Sequence, residues 1–474
     1  MNSRSTAEWE EKGNMEYGKN SCSDIQICYI GGGSQGWAWK LMSDLYLEEA
    51  LSGTIRLYDI DMEAAKANEA IGNRLFAYEG AKSKWDFVTA ASLEEGLKGA
   101  DFVIISILPA TFEEMRSDVH APETYGIYQS VGDTVGPGGV FRALRTIPMY
   151  EVIAGAIKTY CPNAWVINYT NPMSICTGAL YRIFPDIKAF GCCHEVFGAQ
   201  RLLLMALKEE LGIEEPDRHK LRTNVVGINH FTWITEASYK EVDLFPIYAR
   251  FVEKHYKEGI CDKVTDFHFM SLNKVKFDLF QRYGVIAAAG DRHLAEFVPE
   301  YLQNPENVEA WGYALTPIEY RIDNKKELNE KSRAYATGAE PIPIEPSGEE
   351  GVAQIKALLG LGEIITNVNL PNRGQLQASQ EIVVETNALF TKDSVRPVMA
   401  GALPDGVALL MGRHMQNQEM IVKAALHRDT KLAFEAFCND PITACLSLKQ
   451  AKELFGRMFE NTRQYLPDYA PLSV

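Results

Sequence analysis

Between an apolar run and an amphipathic one lies the turn Gly31-Gly32-Gly33-Ser34-Gln35-Gly36, and few folds accommodate that succession. Ahead of it Ile25, Ile27, Cys28, Tyr29 and Ile30 read as a buried strand; after it Trp37, Leu41, Met42 and Leu45 recur at helical spacing. Gly-x-Gly-x-x-Gly in a strand-turn-helix context is a dinucleotide fingerprint. Its first glycine makes the turn, its second lets the backbone approach a pyrophosphate, and its third permits close helix-strand packing. The pyrophosphate then rests on the helix N-terminus. Gly31, Gly32, Gly33, Ser34, Gln35 and Gly36 are therefore candidate cofactor-binding residues. Asp59 ends the next apolar strand, where an acid hydrogen-bonds ribose hydroxyls and repels a 2′-phosphate, so NAD is expected rather than NADP. Asp61 either shares that role or caps the following helix.

Strand-helix alternation continues through the Ala- and Glu-rich stretch 62–76, the continuous apolar run 101–108, the strand 165–168, the helical stretch 172–183 and the strand 187–191. This is a doubly wound, Rossmann-type α/β pattern. After about Glu195 the alternation fades, and helical stretches at 199–211 and 351–365 mix with strand candidates such as 223–228. A second, α+β and mostly helical domain is expected there. A length of 474 residues supports two cores. The expected division is a polar tail over 1–23, an NAD-binding domain over 24–198, and a domain over 199–474 for substrate, metal and oligomerisation.

A net charge of -16 argues against nucleic acid as a partner, since binding a phosphate backbone takes a basic surface. No apolar segment is long enough to span a membrane. The polar start lacks the apolar run of a secretory signal, so a cytoplasmic location is expected. In that reducing compartment the nine cysteines stay thiols.

Four polar clusters fall at or beyond expected strand ends, where ligands bind in open α/β sheets: 132–139, 168–173, 191–195 and 227–230. Singly, each reads as a turn, a helix start or a satisfied core histidine. Together they offer a thiolate, imidazoles, a carboxylate and amides, a donor set suited to a borderline divalent metal.

These motifs, in this order, resemble glycoside hydrolase family 4 from about Ile25 to beyond Phe455. The likeness is carried by Gly31 to Gly36, Gly136-Pro137-Gly138-Gly139, Asn171-Pro172, Gly191-Cys192-Cys193-His194 and Gly227-Ile228-Asn229-His230. Within the family the chain is most similar to the α-galacturonidases, through the blocks 130–139, 191–198, 227–233 and 290–297. The resemblance implies a glycosidase outside the two-carboxylate mechanism. Bound NAD oxidises the sugar C3 hydroxyl, a base removes the acidified C2 proton, and the aglycone is eliminated. Water then adds, and the reduced cofactor restores C3. Manganese acts as Lewis acid on the C3 oxygen.

The resemblance also implies residue roles. Cys193 and His230 are metal ligands, and Asn171 and Asp133 bind sugar hydroxyls. His194 stands where some members carry the leaving-group acid. Asp291 is the expected C2 base, with His293 and Tyr283 as alternatives. A uronate carboxylate calls for arginine, and Arg292 and Arg142 are the candidates. Cys192, on the opposite face of its strand, reads as a packed thiol. The expected substrate is a small pectin-derived α-galacturonide and the expected assembly a homo-oligomer. A related α-glucuronidase or α-galactosidase, a lactate/malate-type dehydrogenase and a catalytically silent NAD-binding regulator are the competing readings.

Overall fold

The structure, a computed structural model, describes residues 15–263, 266–378 and 382–472; residues 1–14 of the expected tail lie outside this range. Strand β1 (Cys22–Ile30) enters the glycine turn and α1 (Trp37–Leu47); β2 (Leu51–Tyr58) leads to α2 (Met62–Phe76), followed by β3 (Trp85–Thr89) and β4 (Phe102–Ile105). The long helix α3 (Gly136–Tyr160), β5 (Trp165–Asn168), α4 (Met173–Ile183) and β6 (Lys188–Gly191) complete the first half. The six strands are parallel in the order β3-β2-β1-β4-β5-β6, the Rossmann arrangement expected from the alternation. All four residues of β4 are buried, as a strand covered on both faces requires. Asp61 caps α2 by accepting from Ala64 N at 3.1 Å, the second of the two roles expected of it, while Glu63 and Arg74 complement the helix dipole at the two ends.

The second half extends this sheet rather than forming its own. Strands β7 (Leu221–Ile228) and β8 (Phe231–Tyr239) form a hairpin. Between β8 and the last strands come α5 (Lys274–Tyr283), α6 (Asp291–Phe297), α7 (Ile318–Thr337) and α8 (Gly351–Leu358). Strands β9 (Ile364–Pro371) and β10 (Val383–Thr391) pair antiparallel, and α9 (Asp405–His427) follows. The order continues β6-β9-β10-β7-β8, so a single 14-stranded sheet runs through the described residues. The seam between the halves is the pair Gly191 and Asn369. A Cβ at Gly191 would stand 2.8 Å from Met173 Cγ and 2.9 Å from Asn369 Cβ, so only glycine lets the halves approach. Ile355 and Leu358 of α8 pack with Ile27 and Leu57, giving residues beyond 199 a share in the nucleotide-side core. No helix among the described residues is long and apolar enough to cross a membrane.

Two glycines of α3 position the polar loop before it. A Cβ at Gly138 would lie 2.6 Å from Gly132 O, and one at Gly139 would lie 2.5 Å from Thr134 C. The first turn of α3 thus presses directly on the backbone that carries Asp133 and Thr134. Gly139→Ala is expected to destabilise the fold by about 1–3 kcal/mol, as overpacking against backbone does, and to shift Asp133. Thermal denaturation and steady-state kinetics of the variant check both.

Candidate active site

At the nucleotide end the glycines divide their work. Gly31 has φ +89°, and a Cβ there would meet Ser106 O at 2.0 Å. Gly33 N donates to Asp59 Oδ2 at 2.8 Å, and Asp61 N donates to Asp59 Oδ1 at 2.9 Å, so the candidate ribose acid also braces the turn. Gly36 departs from the packing role expected of it. A Cβ there would meet nothing within 4 Å, and α1 begins with no side-chain cap. The open space at this helix N-terminus suits a pyrophosphate. Trp37 N lies 3.3 Å from Ser34 Oγ. Asn68 Nδ2 donates to Gly32 O and Ser34 O, fixing the turn from α2. Helix α7 closes it from the other side: Lys325 Nζ donates to Gln35 Oε1 at 2.9 Å, and Gln35 Nε2 donates to Asn329 Oδ1 at 2.7 Å.

Beyond the strand ends Asp133, His230 and His293 come together, one ligand atom from each lying within 4.8 Å of the others. His230 occupies the two-residue turn between β7 and β8 at φ +64°, a left-handed backbone that costs a histidine energy and aims its ring inward. Its ring stacks on His293 with centroids 3.7 Å apart. Thr134 fixes the tautomer. Its single hydroxyl proton goes to Asp133 Oδ1 at 2.7 Å, so Thr134 Oγ1 accepts from His230 Nδ1–H at 2.8 Å, leaving the Nε2 lone pair free. Burial, then the neighbouring His293, lower the His230 pKa to about 3, keeping the neutral ring that binds metal. Burial opposes charge on Asp133, but His293, His230, Arg142 and the Thr134 hydroxyl hold its carboxyl well below the usual range. Asn171 Nδ2 donates to Asp133 Oδ2 at 3.2 Å, and Asn171 Oδ1 is buried without a partner. Thr134→Val is expected to weaken divalent-metal affinity about 10- to 100-fold by freeing the His230 tautomer, as titration calorimetry would show.

The Cys193 thiol lies outside this trio. It is buried, with Asn229 as a side-chain neighbour one residue before His230, and its pKa is pushed well above the ordinary value by burial and by Glu385 and Glu195. A thiolate there needs a cation beside it. Asn367 Nδ2 binds both Cys193 O and Glu385 Oε1, and Glu385 Oε2 receives Asn229 Nδ2, so one buried carboxylate ties the two expected ligand segments together. Neutral imidazole and carboxylate, with the orphaned Asn171 Oδ1 beside them, fit a borderline divalent ion. Cys192, as expected, is a packed thiol on the other side, 3.5 Å from Gln354 Oε1.

Asp291 does not join the cluster, which corrects its assignment as base. It is wholly buried at the start of α6, and its carboxylate accepts from Val275 N and Lys276 N, both at 3.2 Å, capping α5 from a distance. Tyr283 is also elsewhere, edge-on to Trp233. His194 stands at the rim with Nδ1 3.3 Å from Glu349 Oε1 and its ring against Trp37. Arg142 Nε donates to Asn171 O at 3.0 Å, and Arg292 Nη2 donates to Ser130 O at 2.7 Å and to Thr316 Oγ1. Glu195, named in a motif without a role, accepts from Gly290 N at 2.6 Å and brings Oε1 to 4.0 Å from His293 Nε2. Burial opposes its charge, but His293, His230 and His194 bring its pKa down to about 2. Glu296 receives Val131 N and Gly132 N, holding the Asp133 loop from α6.

A nucleotide-type turn and a buried imidazole-carboxylate centre, brought together at the strand ends of one doubly wound sheet, define an enzyme on a dinucleotide-binding fold. Which enzyme follows from its relatives. The model "Family 4 glycosyl hydrolase" matches residues 26–209, and that of the family's C-terminal domain matches 225–443, so the chain belongs to glycosyl hydrolase family 4. It is 60% identical over 457 residues to the alpha-galacturonidase of Thermoanaerobacter italicus, covering 95% of this chain and 99% of that one. It is 51% identical to the alpha-galacturonidase of Bacillus subtilis, covering 93% and 98%. The crystal structure of LplD from Bacillus subtilis superposes with a TM-score of 0.88 at 50% identity over 92% of this chain and all of that one. Family membership sets aside the ordinary dehydrogenase and the silent regulator.

Proposed function

We propose that the protein is an NAD- and manganese-dependent α-galacturonidase acting on small α-galacturonides of the kind released from pectin. The observation that carries this reading is the trio of Asp133, His230 and His293, with the His230 Nε2 lone pair left free by Thr134. Its setting, a chain 60% identical to an alpha-galacturonidase, supplies the sugar. His230 and Asp133, with Cys193 beside them, would hold the cation, and Gly31 to Gly36 with Asp59 would hold the dinucleotide. When bound, these groups supply reversible oxidation at C3 and Lewis-acid polarisation of the C3 oxygen.

The chain's own residues do the rest. Asn171 and Asp133 bind sugar hydroxyls and set the ring against the centre. With Asp291 removed from consideration, we assign the C2 proton to His293. Burial keeps its imidazole neutral, its Nδ1 is buried without a partner, and Glu195 lies beside Nε2 to stabilise the imidazolium once formed. We assign His194, at the solvent rim, to the proton of the leaving oxygen. Arg292 and Arg142 supply positive charge toward a uronate. The reading includes the cytoplasmic location and homo-oligomeric state expected above. The test is a panel of α-galacturonide, α-glucuronide, α-galactoside and a 6-phosphoglycoside with NAD and manganese. The galacturonide is expected to be cleaved preferentially, without net accumulation of reduced cofactor and with loss of activity on chelation. Preference for another sugar, or stoichiometric reduction of the cofactor, overturns it.

A further inference from the structure

Arg321 of α7 was given no role by any motif, yet it stands where the sugar end and the nucleotide end meet. Residues 321, 325 and 329 share one helix face at four-residue spacing. Lys325 and Asn329 both hold Gln35 of the glycine turn, so this face of α7 looks into the cleft. Arg321 lies one turn nearer the helix start. Just before that start Thr316 receives Arg292 Nη2, so the two arginines belong to the same end of α7. The start itself is anchored: Ile318 is wholly buried against Met115 and Val119, and Ile318 N lies 3.3 Å from His120 Nε2.

The electrostatics agree with that position. Burial first, and then the charges of Arg292 and Arg142, lower the Arg321 pKa to about 10, while Asp133 and Glu296 act in the other direction. Arg321 Nε and Arg292 Nε are both buried without a hydrogen-bond partner. Arg142 Nε, in contrast, is taken up by Asn171 O. A desolvated guanidinium with an orphaned donor beside like charge is unfavourable until an anion arrives. Guanidinium forks match the planar geometry of a carboxylate.

We propose that Arg321, acting with Arg292, forms the binding site for the C6 carboxylate of the substrate and determines the preference for a uronide over the neutral sugar. The proposal rests on the galacturonidase reading and adds to it a residue from the C-terminal half. The glycine turn and the uronate site then share one helix, with Lys325 and Asn329 serving the first and Arg321 the second.

The experiment compares the wild type, Arg321→Gln and Arg321→Lys on aryl α-galacturonide, α-galactoside and α-galactoside 6-phosphate, all with NAD and manganese. Calorimetry of free galacturonate and galactose binding runs alongside. Arg321→Gln is expected to lose about 10- to 100-fold in kcat/KM on the galacturonide, mostly through KM, with little change on the galactoside. Galacturonate affinity should fall by a similar factor, and Arg321→Lys should recover part of both. Equal losses on galacturonide and galactoside, or no loss on either, overturn the assignment. A wild type that prefers the galactoside overturns the galacturonidase reading instead. One that prefers the 6-phosphate, and loses that preference in Arg321→Gln, shows that the pair receives a phosphate and overturns the carboxylate.

Discussion

His230→Gly is expected to lower kcat/KM on an α-galacturonide by about 10³-fold or more while leaving the chain folded, because Lewis-acid stabilisation contributes several kcal/mol. Glycine is the informative replacement. His230 sits at φ +64° in a two-residue hairpin turn, a conformation glycine adopts without strain, so β7 and β8 keep their register. What is lost is the imidazole whose Nε2 Thr134 leaves free. Circular dichroism and thermal denaturation should match the wild type to within a few degrees, and manganese binding should be abolished. Wild-type activity in this variant would remove His230 from the metal centre.

Asp118→Ala is expected to cost about 3–5 kcal/mol of stability, the largest effect anticipated away from the site. Asp118, on the helix Phe112–His120, is wholly buried and receives both terminal nitrogens of Arg145 from α3, one of them at 3.0 Å. Arg145 is 1% exposed, and its Nε has no other partner. Removing the carboxylate strands a guanidinium in the core beside Arg142. Replacing both members with apolar residues, Asp118→Leu with Arg145→Met, should recover most of the loss, since the cost lies in the unpaired charge rather than in the missing bond. Chemical denaturation of the three proteins checks this. A single variant within 1 kcal/mol of wild type would show that the pair adds little.

The parallel half was legible because its strands are continuous apolar runs separated by amphipathic helices. The antiparallel half was not, for a physical reason. Strands β9 and β10 carry polar residues that are buried in the assembled sheet: Asn367 donates to Cys193 O, Asn369 Oδ1 accepts from Ser174 of α4, and Glu385 accepts from Asn367 and Asn229, so all three are nearly or wholly inaccessible. Their apolar pattern is broken by the contacts that make the site. Cys193, His230, Asp133 and Asn171 were singled out through motif order, and His293 through its place in a motif block. Asp291 was misassigned because a buried acid looks catalytic when its true partners are backbone amides, which have no sequence signal. Glu195 and Thr134 lay inside quoted motifs, but their roles depend on which neighbour they reach. Arg321 and Lys325 went unnoticed because α7 reads as an ordinary charged surface helix. Only the fold shows that one of its faces covers the cleft.

The central claim is that this chain hydrolyses an α-galacturonide by way of C3 oxidation and C2 deprotonation. It is tested most directly by running the reaction in deuterium oxide with NAD and manganese and reading the product by proton NMR. The account predicts galacturonate carrying solvent deuterium at C2, formed without net reduction of NAD. Galacturonate released with its C2 hydrogen fully retained, together with no rate change when C2 or C3 of the substrate is deuterated, would contradict it.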